Sequence, residues 1–277
     1  MINKCIFPVA GYGTRFLPFT KAVPKEMLPI LNKPLIQYAV EEAMDAGIFS
    51  MCMIVNKFKD SIRFHFSSDT EMEMLIRESS KYSLLEELYN INERCSFNYI
   101  KQQEMLGLGD AINQGKKFIN KDSFAVILPD DFFPKIDDSV LKQMIELHSN
   151  FEDYCIIAVE EINNDNLSNY GVIDGKLLPE SNNIFRVSNL IEKPELERAP
   201  SNLAVIGRYI FTPKIFDILK NTKADRRGEI QITDAINVLA NEGKVLALKI
   251  NLKRYDCGSI DGFIKANIDM HSKYIQY

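Results

Sequence analysis

Short apolar runs recur along the chain at Cys5–Val9, Met51–Val55, Phe97–Ile100, Phe124–Leu128 and Cys155–Val159, separated by longer amphipathic stretches. Continuous runs of this length suit a strand buried on both faces, whereas a surface helix shows an apolar residue only every third or fourth position. Such strands alternating with amphipathic helices form the βαβ pattern of a parallel sheet covered on both sides, so the expected fold class is α/β. Pro34 and Gly47 bracket one of the helices, Leu35–Ala46, whose apolar face carries Ile36, Val40, Ala43 and Met44. Residues 70–91 place Met74, Leu75, Leu84, Leu85 and Leu88 among many acids and read as one long or two shorter surface helices. From Tyr170 to Tyr209 the text becomes β-rich, with pieces at Gly171–Ile173, Phe185–Glu192 and Leu203–Phe211. Helices are expected again at Pro213–Leu219 and Gln231–Asn241, then a strand at Val245–Ile250 and a helix from Ser259 onwards. No Gly-, Pro- or Ser-rich linker and no repeat interrupts the chain, so residues 1–277 are expected to form a single domain.

Composition narrows the function. With 46% hydrophobic and 26% charged residues over 277, the chain can bury one substantial core or two modest ones. A net charge of -5 argues against a general nucleic-acid binder, which needs a basic face, so any cationic site is local. The five cysteines are odd in number and include no CxxC pair, which indicates neither a disulfide framework nor structural zinc; they fit small buried residues in a reducing cytoplasm. His65, His148 and His271 lie far apart and read as surface or helix residues. No apolar run approaches the ~20 residues that cross a bilayer, so no membrane association is expected.

The first apolar run ends in Ala10, Gly11 and Gly13, with Arg15 and Lys25 behind them and no acid before Glu26. Backbone donors beside fixed positive charge describe a polyphosphate site, and so a nucleotide. Two standard motifs are excluded: Phe16 stands where a dinucleotide fingerprint needs its third glycine, and no Walker loop is present. The GxG alone fits a plain glycine turn equally well. Ligands of open α/β sheets gather at the carboxyl ends of the strands. Asp130 follows Phe124–Leu128 directly and Asp256 follows Val245–Ile250 after a short polar stretch, so the two carboxylates can hold a hard cation there. Pro-Asp-Asp is also ordinary turn chemistry, and Asp131 can share or replace its neighbour's role.

The string from Pro8 to Ala43, with its GxGTRxxPxTxxxPKExxP pattern, resembles the signature of the sugar-1-phosphate nucleotidyltransferases, and in particular the bacterial branch acting on UTP and glucose 1-phosphate. Further matching segments follow in order: Gly107-Leu-Gly109, Leu128-Pro-Asp130, Tyr170-Gly-Val172, Ile191-Glu-Lys-Pro194, Asn202 to Tyr209, Glu229 to Asp234 and Tyr255 to Ser259. The resemblance implies a Rossmann-like three-layer α/β/α nucleotidyltransferase fold of the glycosyltransferase-A-like kind. Its central sheet would be mixed but mostly parallel, with a small β-rich sugar-binding part, and the chain would divide into a nucleotide-binding half at about 1–135 and a sugar-binding half at about 136–277. It further implies that Arg15 grips the triphosphate, Lys25 stabilises charge near the α-phosphate and Lys193 holds the sugar phosphate. Ala10, Gly11, Gly13, Thr14, Glu26, Gln102 and Gly107 would contact the nucleotide, Gly171, Glu192, Val205 and Tyr209 the sugar, and Asp130 and Asp256 would bind Mg2+. Asp110 departs from the pattern, since relatives often carry His or a small residue there. Relatives commonly form homodimers or homotetramers, and the C-terminal helix, with Phe263, Ile264 and Ile268, has apolar residues for an interface. A thymidylyltransferase using dTTP shares much of this text, although AGYGTR with PKE favours uridine over GGxGTR with SKQ. A non-catalytic regulatory paralogue is the other alternative; it would be expected to have lost charges that are all present here.

Overall fold

The computed structural model describes residues 2–68, 71–77, 85–134 and 138–274. Its strands, in chain order, are β1 (Lys4–Pro8), β2 (Pro29–Ile30), β3 (Lys33–Pro34), β4 (Ser50–Val55), β5 (Ser96–Lys101), β6 (Phe124–Ile127), β7 (Asp131–Phe132), β8 (Cys155–Glu161), β9 (Gly171–Leu177), β10 (Ile184–Glu192), β11 (Leu203–Phe211), β12 (Val245–Lys249) and β13 (Tyr255–Asp256). The main sheet has nine strands in the order β5-β4-β1-β6-β11-β8-β12-β10-β9. β5, β4, β1 and β6 pair in parallel, as do β8 and β12. β11 runs against both its neighbours, and β10 runs against β12 and β9. Seven of the nine strands therefore point the same way and β10 and β11 run against them, so the sheet is mixed and mostly parallel in strand direction, and every antiparallel pairing involves β10 or β11.

Alternation within the apolar runs makes this a three-layer fold. In β1, Cys5 and Phe7 enter one core while Ile6 enters the other; in β6, Ala125 and Ile127 oppose Phe124 and Val126. A strand covered on both faces needs no polar face, which is why these runs are continuous. Helices α1 (Leu35–Asp45), α2 (Asp60–His65), α3 (Glu71–Arg77) and α4 (Glu86–Arg94) precede α5 (Gly107–Gln114), α6 (Lys116–Ile119) and α7 (Val140–Asn150). α8 (Lys214–Leu219), α9 (Ile232–Asn241) and α10 (Ile260–Tyr274) complete the set among the described residues. Ile36, Val40 and Ala43 of α1 and Val140, Leu141 and Met144 of α7 cover the first face. Ile112 of α5, Phe216 of α8 and Ile236 of α9 cover the second. α1 stops where the alternation requires: Gly47, at φ 83, returns its N–H to Met44 and the chain turns into β4. The acidic stretch 70–91 gives α3 and the start of α4, with 69–70 and 78–84 outside the described residues. Met74 and Leu75 are exposed there, whereas Leu88 packs on the first core.

Outside the sheet, β13 pairs with β7, aligning Asp256 with Asp131 and Tyr255 with Phe132. α10 closes a third small core of Phe16, Leu28, Leu35, Phe132, Tyr255 and Ala266 beneath that ladder. Residues far apart in the chain are thereby fixed beside the carboxyl ends of β1 and β6, where the site lies.

Candidate active site

Beyond β1 the chain enters the loop Ala10–Gly13, and Gly13 adopts the left-handed conformation before a single 3-10 turn at Thr14–Phe16. Thr20 donates its hydroxyl hydrogen to the Gly13 carbonyl at 2.9 Å, and the Asn56 side-chain amide donates to that of Ala10, so the loop is braced from both sides. A cavity of ≈ 410 Å³ lies over it, lined by Ala10, Gly11, Gly13, Thr14, Lys25, Gln102, Gly107 and Asp130 among others. A second cavity, of ≈ 270 Å³, is lined by Gly171, Glu192, Lys193, Val205 and Tyr209 together with Asn169, Tyr170, Gln231 and Thr233. Leu108, Leu128 and Glu229 line both, so the two abut.

Lys25 and Asp130 line the first cavity, and Arg15 and Asp256, which line neither, gather beside Asp130. Lys25 pairs with Asp130 at 2.5 Å, and Arg15 donates to the carbonyl of Gly258 at 3.2 Å. A β-carbon on Gly258 would lie 3.0 Å from an oxygen of Asp130, 3.0 Å from an oxygen of Asp256 and 3.5 Å from the Arg15 guanidinium. The two carboxylates and two cations thus face one point. Burial opposes the charge on Lys25, but Asp130 and Glu26 outweigh it and hold the ammonium well above the usual lysine range. Burial likewise pushes Asp130 up, yet Lys25 and Arg15 bring it below the ordinary carboxylate value. Asp131 is raised by burial and by its neighbours Asp130 and Asp256, despite the Arg254 guanidinium against it. Hard oxygen donors crowded this closely suit a cation such as Mg2+, which takes one or two carboxylates and completes its shell with waters and phosphate oxygens. Among the described residues no group of three or more His, Cys, Asp and Glu side chains is placed to hold a metal on its own.

Asp131 is separated from its neighbour by its partners: it accepts from the Gly207 N–H at 2.8 Å and from Arg254. Arg254 also donates to Glu160 at 2.6 Å and to the Tyr170 hydroxyl at 3.3 Å, and Tyr170 in turn donates to Asp256 at 2.7 Å. On the other side of Asp130, the fully buried Arg208 pairs with Glu42 at 2.7 Å and donates to the carbonyls of Leu128 and Asp131 at 3.0 and 2.9 Å. None of these positioning contacts was expected from the sequence. A lone arginine within the apolar run of β11 was the available signal, since a buried guanidinium requires partners.

Gln102 is buried, with its amide nitrogen on Asp110 at 2.7 Å. Glu192 accepts from the Thr233 hydroxyl at 2.6 Å on the wall of the second cavity. Lys193, at φ 46 and 3.6 Å from Glu192, stands beside it with no ion pair to the Asp130 group. Non-glycine residues at positive φ carry backbone strain, which concentrates at ligand sites. Glu26 does not line either cavity; it is buried in a 2.6 Å pair with Lys59.

Residues 5–273 match the nucleotidyl transferase family. The UTP–glucose-1-phosphate uridylyltransferase of Pseudomonas aeruginosa is 49% identical over 96% of this chain and 95% of its own. A solved UDP-glucose pyrophosphorylase complexed with UDP-glucose superposes with a TM-score of 0.91 at 47% identity, covering 99% of this chain and 100% of that one. The UTP-bound enzyme of the same name from Acinetobacter baumannii gives a TM-score of 0.88 at 36% identity, over 98% and 93% of the two chains.

Proposed function

The chain belongs to the nucleotidyl transferase family, and from that premise we propose that it transfers a uridylyl group from UTP to glucose 1-phosphate, giving UDP-glucose and pyrophosphate. The observation that carries this reading is the convergence of Lys25, Arg15 and Asp256 around Asp130, on the wall of the first cavity. A phosphate oxygen of glucose 1-phosphate attacks the α-phosphorus in line; the new O–P bond forms as the bond to the bridging oxygen breaks, and that oxygen's electron pair leaves with pyrophosphate. The attacking oxygen is already ionised near neutral pH, so no general base is required. Positioning and charge neutralisation then supply most of the rate.

In this reading Arg15 and Lys25 neutralise the triphosphate and Lys193 the sugar phosphate, while Glu192 and the groups about Gly171, Val205 and Tyr209 orient the hexose. Ala10, Gly11, Gly13, Thr14, Gln102 and Gly107 receive the nucleotide. The buried Glu26 is assigned to hold the loop under Lys25. Asp130 and Asp256 would hold Mg2+, which, when bound, supplies further neutralisation of phosphate charge. The dTTP and non-catalytic alternatives are disfavoured: the near-full-length relatives carry the uridylyl name, and Arg15, Lys25, Asp130, Lys193 and Asp256 are all present. We place the protein in the cytoplasm on its unpaired cysteines. We further infer a homo-oligomer, supported by the exposed stripe Ile260, Ile264 and Ile268 on α10.

Pyrophosphate release in the presence of Mg2+, scanned over UTP, dTTP, CTP, ATP and GTP with glucose 1-phosphate and galactose 1-phosphate, tests the reading. UTP with glucose 1-phosphate should lead by about tenfold or more, which corresponds to ~1.4 kcal/mol of transition-state discrimination. A lead for dTTP would shift the assignment to thymidylyl transfer, and no release with any pair would remove the catalytic reading.

A further inference from the structure

The side-chain amide of Gln102 lines the nucleotide cavity, and its orientation follows from the chemistry of its neighbours. Its nitrogen donates to Asp110 Oδ2 at 2.7 Å and reaches the Gly107 carbonyl at 3.4 Å, which engages both N–H groups. A carboxylate only accepts, so the nitrogen must face Asp110 and the carbonyl oxygen must face away. Among the described residues no group donates to Gln102 Oε1, and that oxygen is not among the buried polar atoms left without a partner. It is therefore open to a ligand. Asp110 is itself held one turn along α5, where Gln114 Nε2 donates to its Oδ1 at 3.1 Å.

We propose that Asp110 is the positioning residue that fixes Gln102 as an acceptor toward the base, and so selects a pyrimidine with an N3–H over one with an N3 lone pair. The inference rests on the uridylyl reading above. Uracil and thymine donate from N3, whereas cytosine presents an acceptor there and sets two lone pairs against each other. The departure from the family text at position 110 thereby acquires a role: Asp110 leaves the Gln102 amide one orientation instead of two.

The test is the ratio of kcat/KM for UTP to that for CTP. Asp110→Asn keeps the size of the side chain but offers an N–H that Gln102 Oε1 can accept, which lets the amide turn. The ratio should fall by about tenfold or more through loss with UTP and gain with CTP. Gln114→Ala leaves the Asp110–Gln102 bond in place and should keep the ratio within about threefold; a purely structural role for Asp110 would lower both rates and leave the ratio alone. An unchanged ratio in a folded Asp110→Asn protein overturns the proposal. If that variant does not fold, the unaltered protein with N3-methyl-UTP decides: turnover equal to that with UTP overturns the proposal, and rejection supports an acceptor opposite N3. Should the unaltered protein prefer a purine nucleotide, the uridylyl reading fails instead, and the two failures are distinguishable.

Discussion

At the scale of single residues, the site is built from charges that are costly to bury and so must be mutually satisfied. Arg208 shows the logic: its guanidinium spans Glu42 and the carbonyls on either side of Asp130, so one side chain fixes where that carboxylate stands. Removing a partner of such a pair costs about 3–5 kcal/mol, because the other charge is left buried alone. His65 and His148 bear on stability rather than on the proposed chemistry. His65, on α2, contacts Gln37 Oε1 at 2.9 Å and the Phe66 ring, and burial pushes its pKa down to about 4. An unfolded chain protonates this residue near pH ~6.5, so unfolded molecules bind the proton first as the pH falls. The folded state should therefore hold its stability above pH ~6.5 and lose it progressively towards pH ~4, by an amount on the order of 2–3 kcal/mol. Burial shifts His148 in the same direction and adds to the loss. Urea midpoints at pH 7.5 and 5 should differ less in His65→Gln than in the parent; an identical difference would show that His65 is not a source of the acid sensitivity.

At the scale of elements, the position of Asp256 depends on how closely α10 approaches β13. A β-carbon on Gly262 would lie 2.0 Å from the Asp256 carbonyl oxygen, a backbone atom that no rotamer change can move aside. Gly262→Ala should force the helix and the ladder apart, costing ~1–3 kcal/mol of stability as overpacking does. Because Asp256 sits on that ladder, pyrophosphate release should fall further than the stability loss explains and need more Mg2+ for half-maximal rate. Parental Mg2+ dependence in a destabilised Gly262→Ala protein would separate Asp256 from the metal. The elements were largely legible in the sequence: the five apolar runs marked their strands to within about two residues and the Pro34/Gly47 bracket found α1, because these signals are local, but the edge strand β5 is half exposed and the Gly171–Ile173 piece stops four residues short of the end of β9. The clamp around the carboxylates was not. Arg254 meets Asp131 across 123 positions and Arg208 meets Glu42 across 166, separations at which no periodicity or spacing carries information. Asp130 and Asp256 could be placed at one sheet edge by topology, but the separate engagement of Asp131 required the geometry of β7 against β13.

At the scale of the whole molecule, the two halves of the chain share one sheet. Strands from the first half occupy one side as β5-β4-β1-β6, those from the second continue as β11-β8-β12-β10-β9, and four residue pairs join β6 to β11 at the seam. The first core likewise includes Phe7 and Ala125 alongside Ile156, Ile210 and Leu246, so neither half can shed its partner without exposing its own apolar face. Unfolding should accordingly proceed as one transition, with coincident midpoints by far-ultraviolet circular dichroism and tyrosine fluorescence; two separated midpoints would divide the chain into independent folding units. Self-association through α10 adds a second expectation, since binding between folded copies stabilises them by mass action. The midpoint should rise with protein concentration, and Ile264→Glu, which places a charge at the middle of the Ile260/Ile264/Ile268 stripe, should remove that dependence. Because Ile264 is half exposed, the variant should keep the midpoint that the parent shows at high dilution. If instead the parent's midpoint is flat across a hundredfold range of concentration, the stripe does not join copies of this chain, and α10 serves only to cover the third core and to carry Gly262 against Asp256.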